Sequence, residues 1–245
     1  MCVVTAAAAE PVAVRFPESV THGFLVLRSD RGEPLAHGEL LQTPRGDRVD
    51  SRLVFRFTDG SLYDETVTFS QQRVFRLLSY RLVQRGKSFP SPADVSFDRA
   101  SGRYKAATGE RPSDRAEGAL ELPEDLYNGM ASVLLKNLPA GAQARGHLLA
   151  FTPQPRLLRS TLQPEGTDRY VVGATAGKAT RYVMRLEIGG VTGALAAVVG
   201  KSPPDVRYWI TEGTSPGFVR FEGPMFLKGP TWRIELSAPR WPGER

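Results

Sequence analysis

A single cysteine, Cys2, stands among 245 residues, so the chain can form no internal disulfide and has no thiolate pair to hold a metal. No apolar run approaches the ~18–20 residues that a helix needs to cross a bilayer. Asn128 and Asn137 are the only asparagines, and neither opens an Asn-x-Ser/Thr sequon. His22, His37 and His147 are isolated in strand-like contexts with no second ligand close in sequence, which argues for ordinary strand histidines and against a metal site. Long helices are also scarce: 24 glycines and 19 prolines exceed the ~12% combined share of average chains. A helical bundle is therefore excluded.

What is present fits one globular β-rich domain. Hydrophobic residues make up 41% and charged residues 24%, close to ordinary globular usage. All-β domains of roughly 200–250 residues often stay single. The net charge of +6 invites a nucleic-acid partner, but the arginines are spread singly along strand-like runs and no basic block stands out. The composition weighs against nucleic-acid binding.

From His22 onward the pattern is strand, turn, strand. His22–Ser29 and Leu35–Thr43 flank a Gly-Glu-Pro turn. Arg48–Thr58 puts Leu53, Phe55 and Phe57 on one face and Arg52, Val54 and Arg56 on the other, and Asp59-Gly60 is a favoured hairpin turn into Ser61–Ser70. Arg73–Val83 alternates so that Phe75 and Leu77 oppose Leu78, Tyr80 and Leu82, which predicts apolar groups on both faces. Pro92–Ser113 reads as an edge or flap with short strands at Val95–Phe97 and Arg103–Ala107. Further strands are expected at 147–152, 156–163, 170–174, 180–188, 191–199, 206–211, 217–221 and 231–238, with Gly189-Gly190 turning one hairpin. One amphipathic helix of about four turns is expected to start at Pro123, with Glu124 and Asp125 at its positive end and Leu126, Met130, Val133, Leu134 and Asn137 on one face.

Catalytic motifs fail on mechanism. Gly213-Thr214-Ser215-Pro216-Gly217 has the spacing of a nucleophile elbow, but Pro216 lacks the N–H that an oxyanion hole takes from that position. Gly200-Lys201-Ser202 lacks the upstream glycine of a phosphate loop and runs into Pro203-Pro204. Asp64 and Glu65 are adjacent in a strand and should face opposite ways, while the turn accounts for Asp59. Tyr208-Trp209 and Trp232 could form an aromatic clamp or simply pack in the core. No cofactor and no catalytic residue is expected.

The opening Met1–Pro11 is small and apolar, then polar, like the tail of a secretory signal, although the basic start of a full leader is missing. Residues 1–20 are thus expected to be a leader remnant or a disordered segment, with 21–245 a single domain exported to the periplasm or beyond.

The stretch Phe57–Phe69, with Gly200–Asp205 followed by Trp209, resembles uncharacterised exported bacterial proteins distantly akin to the periplasmic lipoprotein carrier and its receptor. The likeness runs over about His22–Pro239. It implies a strongly curved antiparallel sheet, an incomplete barrel, with the helix in its concavity and an apolar hollow that takes acyl chains. One helix instead of several and the long Pro92–Ser113 segment depart from that pattern. If the helix fills the hollow, Met130 and Leu134 should meet Phe55, Phe57, Phe75, Leu77 and Met184, the candidate ligand-binding residues. The expected function is non-catalytic binding of a lipid or other apolar molecule. A structural or partner-binding module of the cell envelope or membrane surface, and a secreted hydrolase, are the alternatives.

Overall fold

The computed structural model describes residues 11–152, 154–187 and 205–237. Its fourteen strands form one antiparallel sheet. The first eight are β1 (Thr21–Arg28), β2 (Pro34–Arg45), β3 (Arg48–Phe57), β4 (Leu62–Gln71), β5 (Phe75–Arg85), β6 (Ala93–Asp98), β7 (Arg103–Ala107) and β8 (Arg115–Ala119). After the helix α1 (Ala131–Asn137) come β9 (Ala144–Phe151), β10 (Pro155–Val172), β11 (Thr175–Glu187), β12 (Val206–Thr211), β13 (Phe218–Gly223) and β14 (Trp232–Leu236). Spatial order is β8 to β1, then β14 back to β9, so every pairing joins strands consecutive in sequence except the β1–β14 seam. β8 and β9 are the two outermost strands, and the chain linking them carries α1.

Bulges supply curvature, because an extra residue on one strand bends it and increases its twist. On β5 the register with β4 jumps between Thr68–Ser79 and Phe69–Leu77, leaving Leu78 as the extra residue. That jump modifies the expectation of apolar groups on both faces: inward positions run Phe75, Leu77, then Tyr80, Leu82 and Gln84, so the parity changes at Leu78 and four of the six apolar residues share one face, with Val83 on the other. β10 is continuous where two strands were expected, since a second bulge at Glu165 absorbs the Pro164–Gly166 irregularity. Pro92–Ser113 contributes β6 and β7 to the sheet near its β8 edge. The hairpin predicted at Asp59-Gly60 forms as expected, with Asp59 Oδ1 accepting from Ser61 N at 2.8 Å.

The helix is shorter than its periodicity suggested. Residues 123–130 are not helical because their backbone is engaged elsewhere: Arg99 donates to the Leu122 and Pro123 carbonyls, and Tyr127 N and Asp125 O pair with His147 on the β9 edge. Gly129, at φ 69°, then turns the chain into α1. Glu124 and Asp125 accordingly serve side-chain partners instead of a helix start, with Glu124 holding Arg76 at 2.7 Å and Asp125 holding His147 at 2.8 Å.

Residues 12–18 pack on the fold, N-terminal to the expected domain start at residue 21. Val14 N donates to Arg73 O and Phe75 N to Val12 O, while Arg15 N and Phe16 N both donate to Asn137 Oδ1. Residues 1–10, the Gly189–Gly190 turn with 191–199, and the Gly200–Pro204 stretch lie outside the described residues.

Candidate functional site

The concave face buries two apolar clusters. One surrounds α1 and gathers Phe75, Leu77, Met130, Leu134 and Met184; the other holds Phe55 and Phe57 with Leu25, Leu27, Phe89 and Trp232. The sheet therefore brings five of the seven predicted ligand-binding residues together and separates two. At the second cluster, the rings of Phe57, Phe89, Phe226 and Trp232 lie with centroids 5.3 to 5.9 Å apart, forming an aromatic stopper. Phe226 comes from the β13–β14 connection, which Gln84 Nε2 ties down by donating to Met225 O at 2.8 Å.

Beside α1 lies a cavity of about 330 Å³. Leu53, Val67, Phe69, Val133, Met184 and Phe221 are among its apolar walls, and Met184 is the only one of the seven predicted residues on its lining. The other six are buried in packing against their neighbours.

Four polar side chains on this wall, Glu65, Tyr63, Tyr80 and Tyr208, were not among the predicted ligand-binding residues. Glu65 points inward from β4 and accepts from the Tyr80 hydroxyl at 2.9 Å. Tyr63 lies two residues before it on the same face, and Tyr208 joins from β12. Burial pushes the Glu65 carboxyl above its ordinary range, against the opposing pull of hydrogen bonding from Tyr80 and Tyr63. Burial together with the Glu65 charge raises all three phenols. Each ring is held by a second aromatic: Tyr63 meets Phe55 edge-on, Tyr80 stacks on Phe97 and Tyr208 meets Phe221 edge-on, with centroids 6.2, 5.4 and 5.2 Å apart. The strand's own alternation was the available signal, since Tyr63, Val67 and Phe69 share the parity of Glu65.

Lys136 of α1 also lines the cavity and holds the Glu18 carboxylate at 2.6 Å. Asp64, as its strand position predicts, faces outward and pairs with Arg52. Asp59, Asp64 and Glu65 thus form no common site. Ser215 is exposed in the β12–β13 turn. Trp209 packs with Ala179 and Val219 and donates to Asp168 at 2.7 Å, whereas Trp232 sits in the stopper, so the two tryptophans make no clamp. His22 and His147 lie beside Glu39 and Asp125 respectively, and among the described residues no group of three potential metal ligands occurs.

No protein-family model matches the sequence, and no curated protein matches it. Among solved structures, the chain is similar to the crystal structure of a β-barrel-like protein of the domain of unknown function DUF1849 from Brucella abortus, with a TM-score of 0.51. The two share a β-barrel-like fold. The match covers 90% of this chain and 97% of that one at 11% identity, a level at which the likeness concerns the fold alone. It agrees with a curved, open antiparallel sheet around one helix.

Proposed function

We propose that this protein is a non-catalytic binder of an apolar or acyl-chain molecule, which it holds in the cavity beside α1. The observation that carries this reading is the cavity itself: about 330 Å³ of space inside a folded half-barrel, walled mainly by leucine, valine, methionine and aromatic side chains. Well-packed cores hold few voids larger than a water molecule, and ligand sites run ~300–1,000 Å³ with a few placed polar groups. The volume suits one slender guest. Met184 and Met225 on the wall add flexible side chains that adapt to chains of different shape. A role in the cell envelope, akin to lipoprotein carriage, belongs to the same proposal and draws on the sequence resemblance and the leader-like start.

Native mass spectrometry of freshly purified protein, before and after solvent extraction, tests it together with titration by an uncharged fluorescent acyl-chain probe. A co-purified mass lost on extraction, or saturable one-to-one binding, is expected. A clean apo mass with no fluorescent response overturns the proposal.

A further inference from the structure

Resting on that cavity-binding reading, we infer that the guest is an amphiphile with a cationic amine head, seated among Glu65, Tyr63, Tyr80 and Tyr208. Of the residues lining the cavity, only Glu65 and Lys136 carry charge, among the described residues. Lys136 already has a carboxylate partner in Glu18 at 2.6 Å. Glu65 has hydroxyl neighbours and no cation: Tyr80 donates to it, and its cross-strand neighbours Leu53 and Leu82 are apolar. Glu65 is half-buried, and a carboxylate partly withdrawn from water without a counter-charge is costly; an ammonium supplies both the charge and the donors that would offset this.

The tyrosines add to the selection. Their ring faces attract a cation, and their hydroxyl oxygens can accept from an ammonium. Because Phe55, Phe97 and Phe221 fix the three rings, little ordering cost remains on binding. Gly129 closes the loop over this group, for a Cβ there would come within 2.5 Å of Val67 Cγ2 and 3.2 Å of Glu65 Cδ. A fatty-acid carboxylate in the same place would meet Glu65 with like charge. The protein's overall charge of +6 favours anions, so a preference for amines has to arise at the site.

The test is calorimetric titration of the whole protein with dodecylamine, dodecanol and dodecanoate below their micelle concentrations at neutral pH. The amine is expected to bind at least about tenfold more tightly than dodecanoate, with the alcohol between them. Glu65→Gln should erase the amine preference while retaining dodecanol binding. Equal or tighter dodecanoate binding, or an amine preference that survives Glu65→Gln, overturns the inference and leaves cavity binding standing. Failure of all three probes removes both. Should Glu65→Gln not fold, the amine-to-alcohol affinity ratio of the unaltered protein is followed from about pH 4 to 8, where an alkylammonium stays charged as lysine does. The ratio is expected to rise as Glu65 loses its proton. A flat ratio overturns the inference.

Discussion

Asp64 and Glu65 share a peptide bond and serve opposite sides of one strand: Asp64 holds Arg52 at 2.6 Å on the convex face, and Glu65 holds the Tyr80 hydroxyl at 2.9 Å within the concavity. The guanidinium hydrogen bond lowers the Asp64 pKa, whereas desolvation raises that of Glu65. Their linkage to stability therefore has opposite signs. The contribution of Asp64 is present above its unfolded pKa and fades as pH falls through the lowered folded value. That of Glu65 is complete below its unfolded pKa and is lost as pH rises through the raised folded value. Urea midpoints from about pH 3 to 8 should show Glu65→Gln gaining on the parent protein as pH rises, and Asp64→Asn losing ground over the acid limb. Arg52 is more than half exposed, so solvent screening holds the Asp64 effect under about 1 kcal/mol. A Glu65→Gln curve parallel to the parent's would refute the assigned desolvation.

Gly38 and Phe55 face each other across β2 and β3, and a Cβ on Gly38 would press into the ring at Cδ1 and Cε1. Phe55 is fully buried and has no room to retreat. Gly38→Ala should cost about 1–3 kcal/mol through overpacking, and adding Phe55→Leu should recover part of it by freeing space. Denaturant melts of the two single variants and the double variant check this, with strict additivity counting against it.

Asn137 is the clamp between α1 and the N-terminal segment. It is 1% exposed, accepts from both Arg15 N and Phe16 N, and donates to Val133 O. Asn137→Ala leaves two backbone donors without a partner, so the expected loss is about 2–4 kcal/mol. Hydrogen exchange should show amide protection falling first at 15 and 16. An unchanged exchange pattern there would mean that the clamp does not hold the segment.

Leu53 stands on the cavity wall beside Glu65. Leu53→Trp should fill the space and abolish dodecanol binding at a stability cost of about 1–3 kcal/mol. Retained one-to-one binding in a folded Leu53→Trp protein would place the ligand elsewhere.

Much of this architecture was legible because antiparallel strands write their inner face into every second residue. Val206–Thr211 and the Asp59-Gly60 hairpin follow directly from that rule. Leu78 shows where the rule ends, since one inserted residue reverses the parity and no local feature of Arg73–Val83 marks it. The helix start was misplaced for a different reason: Pro123, Glu124 and Asp125 carry good local helix signals, but partners distant in sequence, Arg99 and His147, claim that backbone. For the site, alternation identified the apolar inner face but could not separate tightly packed residues such as Phe75 and Leu77 from those bordering empty space. Glu65 is a polar residue on an apolar face, but its sequence neighbours Asp59 and Asp64 make it read as one of a carboxylate cluster.

The pairing of β1 with β14 also sets a timetable. As the chain leaves the ribosome, β1 to β8 can zip into a meander of neighbours, yet β1 keeps one bare hydrogen-bonding edge until more than two hundred residues have been made. The sheet is completed at its middle, by a contact of the longest sequence separation in the fold, which favours slow maturation. Until then, that unsatisfied border is a place where a nascent molecule can be captured by a stray strand.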